Sequence, residues 1–257
     1  MNTFERRNRI LDLVNKQGSV LVVDLSNAFG ISEVTIRADL RLLEEKGLVA
    51  RFHGGAAKPV SNMIENENQE VGLEERYTLA SDPKKRIAQA AATTIEEGMT
   101  VILDSGSTTM LIAESLIKME NITVITNNLP AAYSLSENTG ITLVVIGGTV
   151  RHKTHSMHGT IAERSLQGIS ADVMFVGADG IDTTNGITTF NEGYSISGVM
   201  AAAAHKVIAV LDASKFNRRG FNQVLPMEKI DCVITDKGIS EKDKAALSKM
   251  GKEVVIV

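Results

Sequence analysis

The sequence predicts an α/β protein with two domains, a small one of short helices and a β-hairpin and a larger one built around a parallel sheet. Residues 1–57 carry apolar side chains at helical spacing, whereas residues 75–257 alternate near-continuous apolar strands with helices. Between them, residues 58–74 contain a proline and several Asn and Glu but few large apolar side chains, which is typical of a linker. The 257 residues are 43% hydrophobic, enough to bury a core in each domain.

Charge and cysteine content exclude several classes of protein. The net charge is −4, with +2 in residues 1–58 and −6 in the rest, so a basic head precedes an acidic body. Cys232 is the only cysteine, which rules out an intrachain disulfide. The charged start lacks a signal core, and no apolar run reaches the roughly 18 residues of a membrane span. We therefore expect a cytoplasmic protein without a membrane segment.

Three helices are predicted in the first domain. The first runs from Phe4 to Lys16, the second from Ser19 to Phe29, and the third from Ile31 to Gly47. Gly30 supplies the tight turn between the second helix and the third. Two short helices joined in this way, the second with a polar outer face, form a helix-turn-helix.

The third helix has the two faces that a DNA-reading helix needs. Ile36, Leu40 and Leu43 fall at i, i+4 and i+7 and form its buried face. The opposite face is short, polar and basic, so it can bring hydroxyl and guanidinium groups to phosphates and base edges. A solvated surface helix has a similar pattern, and the helix-turn-helix context favours DNA. The candidate DNA-contacting residues here are Ser32, Thr35, Arg37, Ala38 and Arg41.

Residues 48–57 predict a β-hairpin wing after the third helix. The run LVARFHGGAA alternates and ends in Gly54 and Gly55 with small residues after them. Arg51 and His53 project from this hairpin and are expected to contact phosphates or the minor groove. Proteins with one recognition helix usually bind paired half-sites as dimers, so we expect a homo-oligomer, a dimer or tetramer, held mostly by the larger domain.

The second domain predicts alternating strands and helices. The expected strands are residues 99–104, 122–126, 141–148, 173–179, 207–212, 232–235 and 254–257. The expected helices are residues 109–116, 131–136, 161–166, 194–204 and 242–249. The basic run Lys84–Arg86 belongs to a helix leading into this domain and is interpreted as a solvated face. Ligands bind beyond the carboxyl ends of parallel strands, so the residues after each strand are the candidates.

The loop after the first of these strands predicts an anion site. A glycine allows a tight turn before the next helix, so backbone N–H groups and hydroxyls face one point at the positive helix end. The glycine and lysine spacing of a P-loop is absent. We expect a phosphate-binding loop rather than a plain helix cap, because the hydroxyls exceed what a cap needs. Its residues are Asp104, Ser105, Gly106, Ser107, Thr108 and Thr109.

Other strand ends and the loops beyond them carry amide, carboxylate and cationic groups that suit a small phosphorylated sugar or polyol. These candidates are Asn127, Asn128, Gly147, Gly148, Arg151, Asp179, Glu192 and Lys215. The spacing of His152, His155 and His158 leaves a metal cluster open. We favour a basic lip over an anionic ligand, with Arg151 pairing to phosphate, and so expect no metal and no cofactor.

One specific motif in the first domain combines Thr35-Ile36-Arg37, Asp39-Leu40 and Leu43-Glu44 with Arg51 and His53-Gly54-Gly55. With this motif the chain resembles the DeoR family of bacterial repressors, and the resemblance extends over its whole length. The segments FERRN and RFHGGAAK are most similar to members that repress galactitol operons. The resemblance implies a repressor that binds double-stranded operator DNA and responds to a phosphorylated sugar or alditol.

The second domain is similar to the sensor domain of that family, which resembles ribose-5-phosphate isomerase. Ser105–Thr109 matches the isomerase phosphate loop, Gly177–Asp179 and Asp212–Lys215 match two further motifs, and Glu192 falls on its catalytic glutamate. Where the isomerase has a lysine and a glycine run, this chain has Asn185-Gly186-Ile187-Thr188. The resemblance therefore implies a receptor without enzymatic activity. The alternative is a sugar-phosphate isomerase-like enzyme with an N-terminal interaction domain.

Overall fold

A computed structural model describes residues 3–45, 48–52, 54–57, 73, 76, 79–190, 195–216, 218–220 and 222–257. The chain divides into two compact units, Met1–Glu67 and Asn68–Val257. The linker predicted at residues 58–74 lies, apart from Leu73, outside the described residues. Among the helices of the described part of the chain, none combines the length and the apolar character needed to cross a membrane.

The first unit is a winged helix-turn-helix, which confirms the predicted fold. Its helices are α1 (Thr3–Gln17), α2 (Val22–Phe29) and α3 (Glu33–Glu45). Its antiparallel strands are β1 (Ser19–Leu21), β2 (Ala50–Phe52) and β3 (Gly55–Ala57). The sheet order is β1–β3–β2. The predicted apolar face of α3 packs against α1, α2 and the sheet; the buried side chains include Ile10, Val14, Val20, Leu25, Ile36, Leu40 and Leu43.

The predicted start of the second helix is wrong. Ser19–Leu21 forms strand β1, and α2 begins only at Val22. Val20 is buried between two exposed neighbours and pairs with Ala56, so the sheet of the wing captures this stretch. Gly55 makes the close pairing possible, because a Cβ there would lie 2.3 Å from the Val20 carbonyl oxygen. Pairing with a distant strand therefore overrides the local helical signal.

The second unit contains twelve strands and six helices among its described residues. The strands are β4 (Thr100–Leu103), β5 (Thr123–Thr126), β6 (Thr142–Val145), β7 (Thr149–Arg151), β8 (Ser156–His158), β9 (Ala171–Val176), β10 (Gly180–Asp182), β11 (Gly186–Thr189), β12 (Ala204–Val210), β13 (Asn222–Leu225), β14 (Cys232–Thr235) and β15 (Glu253–Ile256). The helices are α4 (Ser81–Ala92), α5 (Ser107–Ser115), α6 (Leu129–Leu135), α7 (Thr160–Ser165), α8 (Ser197–Ala202) and α9 (Glu241–Lys249).

A seven-stranded parallel sheet organises this unit, in the order β15–β14–β12–β9–β4–β5–β6. Alternate residues of each inner strand enter two separate cores; in β4, Val101 and Leu103 join one core and Ile102 the other. Helices α4, α5 and α6 cover the first core, and α7, α8 and α9 cover the second. The prediction of a parallel sheet covered on both faces is confirmed.

Two smaller sheets interrupt the predicted alternation of strands and helices. Strands β10, β11 and β13 form an antiparallel sheet, and β7 and β8 form a hairpin. Each strand has only three or four residues, too few for a clear hydrophobic period. The helix predicted at 194–204 is limited to Ser197–Ala202, because Ala204 already pairs with Ala171 in the central sheet.

Candidate functional sites

Helix α3 presents one exposed face over its first two turns. Ser32 caps the helix, since its Oγ accepts a hydrogen bond from the Thr35 N–H at 3.3 Å. Arg37 pairs with Glu33 one turn earlier, so its guanidinium lies beside the helix start. The exposed side chains at i, i+3, i+4 and i+7 are Val34, Arg37, Ala38 and Arg41.

Val34 is absent from the set of DNA-contacting residues that the sequence predicts. Its side chain is 74% exposed, although it is large and apolar. The spacing of three and four residues to Arg37 and Ala38 is the signal that could have identified it. A methyl-bearing side chain at the start of a recognition helix can contact the C5-methyl of thymine. The face of α3 therefore combines an apolar side chain with cations.

A buried ionic cluster fixes the position of α3. The carboxylate of Asp39 accepts hydrogen bonds from Nε of Arg6 at 2.5 Å and from Nε of Arg7 at 2.8 Å. Burial alone raises the pKa of Asp39, but the hydrogen bonds and charges of the two arginines outweigh it and hold this pKa below its ordinary value. The cluster ties α1 to α3 and so orients the exposed face of α3.

The wing is attached to the end of α3 through Arg51. Its backbone N–H donates to Glu44 Oε1 at 3.1 Å, and its guanidinium lies 3.4 Å from Glu44 Oε2. Arg51 is exposed, and these contacts hold it close to α3. It can therefore reach the phosphate backbone of DNA that binds this helix. His53 lies outside the described residues.

The second unit contains a cavity at the carboxyl ends of β4, β9 and β12, which are neighbours in the sheet. Its volume is ≈ 90 Å³. One water needs roughly 10–15 Å³, so the cavity can accept a small ligand. The sequence-predicted residues that line it are Asp104, Ser105, Gly106, Ser107, Thr108, Arg151, Asp179 and Lys215. Three successive strand ends are thus brought together in the way that the parallel sheet predicts.

The loop after β4 turns sharply into the N-terminus of α5. Gly106 has φ of 152°, a conformation that side chains rarely tolerate, and this allows the turn. Thr109 Oγ1 and Asn128 Nδ2 both donate to the Gly106 carbonyl, at 3.0 and 3.3 Å. Thr109 and Asn128 therefore support the loop from outside the cavity lining.

Asp104 is a fully buried carboxyl in the cavity wall. It accepts hydrogen bonds from the Ser105 N–H at 2.7 Å and from Ser197 Oγ at 2.5 Å. Burial raises its pKa to about 6, and the hydrogen bonds from Ser197 and Ser105 offset only part of that effect. A carboxyl with this pKa changes charge close to neutral pH and can donate to or accept from a ligand hydroxyl.

Besides Arg151, the cations Arg76, Lys84 and Lys215 line the cavity. Lys84 is only 3% exposed, so its interpretation as part of a solvated helix face is wrong. Its buried Nζ donates to two backbone carbonyls at 2.7 Å. Burial lowers the pKa of Lys84 to about 8 in spite of nearby Asp212, and burial also lowers the pKa of Lys215. Lysine burial depends on long-range packing, and no local sequence signal marks it.

The β7–β8 hairpin forms a further wall of the cavity. Arg151, Thr154 and His158 line it. A chain of hydrogen bonds joins them: Arg151 to Thr154 at 3.4 Å, Thr154 to Ser156 at 2.7 Å, and Ser156 to His158 at 2.7 Å. His152 is exposed, and the described residues hold no cluster of three or more His, Cys, Asp or Glu placed to bind a metal.

The other predicted ligand-binding residues that the structure describes lie outside the cavity lining. Asn127 Nδ2 donates to the Met157 carbonyl at 3.1 Å. A Cβ at Gly148 would lie 2.6 Å from the carbonyl oxygen of His158, so this glycine lets the hairpin approach, while Gly147 is exposed. Asn127 and Gly148 thus hold the hairpin beside the cavity. Glu192 lies outside the described residues.

A winged helix-turn-helix followed by an α/β unit with a polar cavity defines a DNA-binding regulator with a ligand-sensing domain. Residues 6–62 match the family described as DeoR-like helix-turn-helix domain, and residues 80–237 match the DeoR C terminal sensor domain. The chain belongs to the DeoR family and is a transcriptional regulator, not an enzyme.

Two Escherichia coli relatives carry provisional operon names. The aga operon transcriptional repressor of strain O157:H7 is 38% identical over 256 residues, covering 99% of this chain and 94% of the relative. The galactitol utilization operon repressor of strain K12 is 66% identical over 100 residues, 39% of this chain and 89% of the relative. Ribose 5-phosphate isomerase A of Methanocaldococcus jannaschii aligns over 54% of this chain and 55% of that chain, with 21% identity and a TM-score of 0.41.

Proposed function

We propose that this chain represses an operon for the breakdown of a sugar or alditol, with galactitol as the candidate compound. A phosphorylated sugar or alditol bound in the cavity modulates operator binding. The observation that carries the proposal is the cavity, which both the loop at the start of α5 and the cation of Lys215 line. The operon names of the relatives support the sugar and alditol class.

The cavity has groups suited to both parts of a phosphorylated polyol. The N-terminus of α5, with the hydroxyls of Ser105, Ser107 and Thr108, suits a phosphate, and Arg151 and Lys215 add positive charge. The carboxylates lining the cavity suit sugar hydroxyls. We assign supporting roles to Thr109, Asn127, Asn128 and Gly148, and Glu192 remains a candidate ligand contact.

On the first unit, we propose that α3 enters the major groove of operator DNA. Ser32, Thr35, Arg37, Ala38 and Arg41 then face the DNA, and Arg51 and His53 of the wing contact its backbone. We further propose a homo-oligomer on paired half-sites, with residues 1–57 as the DNA-binding domain, 58–74 as the linker and 75–257 as the effector-binding domain.

Thermal unfolding in the presence of phosphorylated sugars and alditols tests the effector, and a gel shift on DNA upstream of neighbouring genes tests the repressor. A ligand at 100 times its Kd adds about 2.7 kcal/mol to the unfolding free energy. Ser107→Ala is expected to weaken the binding of that ligand about ten-fold through a lost charged hydrogen bond. Ser115→Ala, exposed at the far end of the same helix, is the matched control.

Each arm of this experiment can fail separately. If none of the upstream fragments gives a gel shift, the proposal that this chain is a repressor is overturned. If the chain gives a gel shift but no phosphorylated compound stabilises it against unfolding, the proposed sugar-phosphate effector is overturned. The chain is then a DNA-binding protein that responds to a different kind of ligand.

A further inference from the structure

The chain from the end of the predicted linker onward is tied to the rim of the cavity through Leu73, Arg76 and Leu79, which we name the anchor residues. The Leu73 N–H donates to the Lys153 carbonyl in the turn of the β7–β8 hairpin, at 3.1 Å. Arg76 lies 2.8 Å from Asp179 Oδ1, and both side chains are largely buried. The anchor residues therefore contact two different walls of the cavity.

Lys84 clamps the same stretch from the other side. Its Nζ donates to the carbonyl oxygens of Arg76 and Leu79, each at 2.7 Å. An ammonium group has three N–H donors, and two of them are engaged here. Since Lys84 is almost fully buried, its position is tightly determined by these carbonyls and by the surrounding cavity wall.

The groups that hold the anchor residues are also groups that a ligand would touch. Arg76, Lys84 and Asp179 all line the cavity. Asp179 is held by β11 and its end, because its Oδ2 accepts from Thr189 Oγ1 at 2.7 Å and from the Phe190 N–H at 3.3 Å. The carboxylate is thus fixed, and Arg76 is the partner that an anion in the cavity can draw away.

The anchor residues also occupy a decisive place along the chain. The first compact unit ends at Glu67 and the second begins at Asn68, so the covalent path between the units enters the second unit just before Leu73. We propose that the Arg76–Asp179 ion pair transmits occupancy of the cavity to the DNA-binding unit: an anionic effector takes Arg76 from Asp179 and loosens the anchor residues. This inference rests on the proposed function and deepens it.

The proposal makes the ion pair a two-state element whose equilibrium the effector shifts. A ligand shifts such an equilibrium only by its differential affinity for the two states, which is about ten-fold for a typical coupling of sites. Removing either partner of the pair is then expected to mimic the effector. The two variants to compare are Arg76→Gln and Asp179→Asn, since the second retains Arg76 for the ligand.

The control is Arg86→Gln on α4, which removes the same charge from an exposed pair with Asp82. Operator affinity is measured by fluorescence anisotropy on the full chain, with and without galactitol 1-phosphate and tagatose 6-phosphate. Without ligand, Arg76→Gln and Asp179→Asn are each expected to change operator affinity about ten-fold, in the direction of the liganded wild type. Arg86→Gln is expected to keep both the affinity and the full ligand response.

The outcomes separate this inference from the proposed function. If the wild type responds to ligand and both variants retain the wild-type affinity and response, the coupling through Arg76 is overturned while the repressor stands. If the wild type binds no operator, or if none of the phosphorylated sugars and alditols changes its operator affinity, the proposed function fails, and the inference with it. Thermal unfolding identifies a variant that has lost its fold, and the other variant then decides.

Discussion

Two buried aspartates show how differently the two units use charge. Asp39 in the first unit is enclosed with Arg6 and Arg7, and these cations hold its pKa below the ordinary value although burial acts in the opposite direction. Asp104 in the second unit accepts hydrogen bonds from neutral donors, and burial raises its pKa to about 6. The ion-paired carboxylate of Asp39 stabilises the fold. The carboxyl of Asp104, which is bound only by neutral donors, can change its protonation state beside the cavity.

Replacing Asp39 with Asn tests the ion-paired aspartate and is expected to have the largest effect on stability. Arg6, which is also buried, loses its counter-charge, so the first unit is expected to lose about 4 kcal/mol of unfolding free energy. Hydrogen exchange of the amides in α1 and α3 measures this loss within that unit. Asp24→Asn, at an exposed position on α2, is expected to change stability by less than about 0.5 kcal/mol.

The contribution of Asp39 to the free energy of unfolding is expected to depend on pH. The folded pKa of Asp39 lies below its unfolded value, so the contribution is present at neutral pH and is lost as pH falls below about 4. The stability difference between wild type and Asp39→Asn therefore shrinks on acidification. A difference that stays constant between pH 7 and pH 3 contradicts the ionic role of Asp39.

Replacing Asp104 with Asn tests the aspartate that is bound only by neutral donors. The folded pKa is about 6 against an ordinary 3.8, so the folded state binds the proton more tightly than the unfolded state. Wild-type stability therefore falls as pH rises from about 4 to 6, by about 3 kcal/mol for two pKa units. Asp104→Asn is expected to have a flat profile over this range and greater stability at pH 7.

Urea unfolding of the full chain from pH 4 to pH 7 measures this profile. Asp82→Asn, at an exposed position on α4, is the control and is expected to follow the wild type. A pH dependence in Asp104→Asn equal to that of the wild type assigns the titration to another group.

The same contrast between local and long-range causes decides what the sequence predicts. The apolar face of α3 and the strand, loop and helix around Asp104 depend on residues a few positions apart, so periodicity and turn chemistry identify them. Strand β1 depends on a partner more than thirty residues later, at Gly55–Ala57. Lys84 stands in a basic run typical of a solvated face, and only the folded structure, in which it lines the cavity together with Asp212, shows its burial.

The arginines on the exposed face of α3 differ from both aspartates, because they lie at the surface and not in a core. Arg37→Ala and Arg41→Ala are each expected to weaken operator binding by about 2 kcal/mol if their guanidinium groups reach bases. Fluorescence anisotropy on operator DNA measures the loss. Arg9→Ala removes the same charge from an exposed position on α1 and serves as the matched control. Unchanged affinity in both α3 variants assigns DNA reading to another face.

Val34 provides the smallest and most specific test, because it carries no charge. Val34→Ala removes two methyl groups from a side chain that is 74% exposed in the free protein. If Val34 packs on a thymine methyl, operator affinity is expected to fall by about 1 kcal/mol, close to five-fold. Replacing the contacted thymine with deoxyuridine, which lacks that methyl, is expected to weaken the wild type by a similar factor and to leave Val34→Ala unchanged. Additive losses from the two changes would show that Val34 does not contact that methyl group, whereas a shared loss places the start of α3 against that base pair.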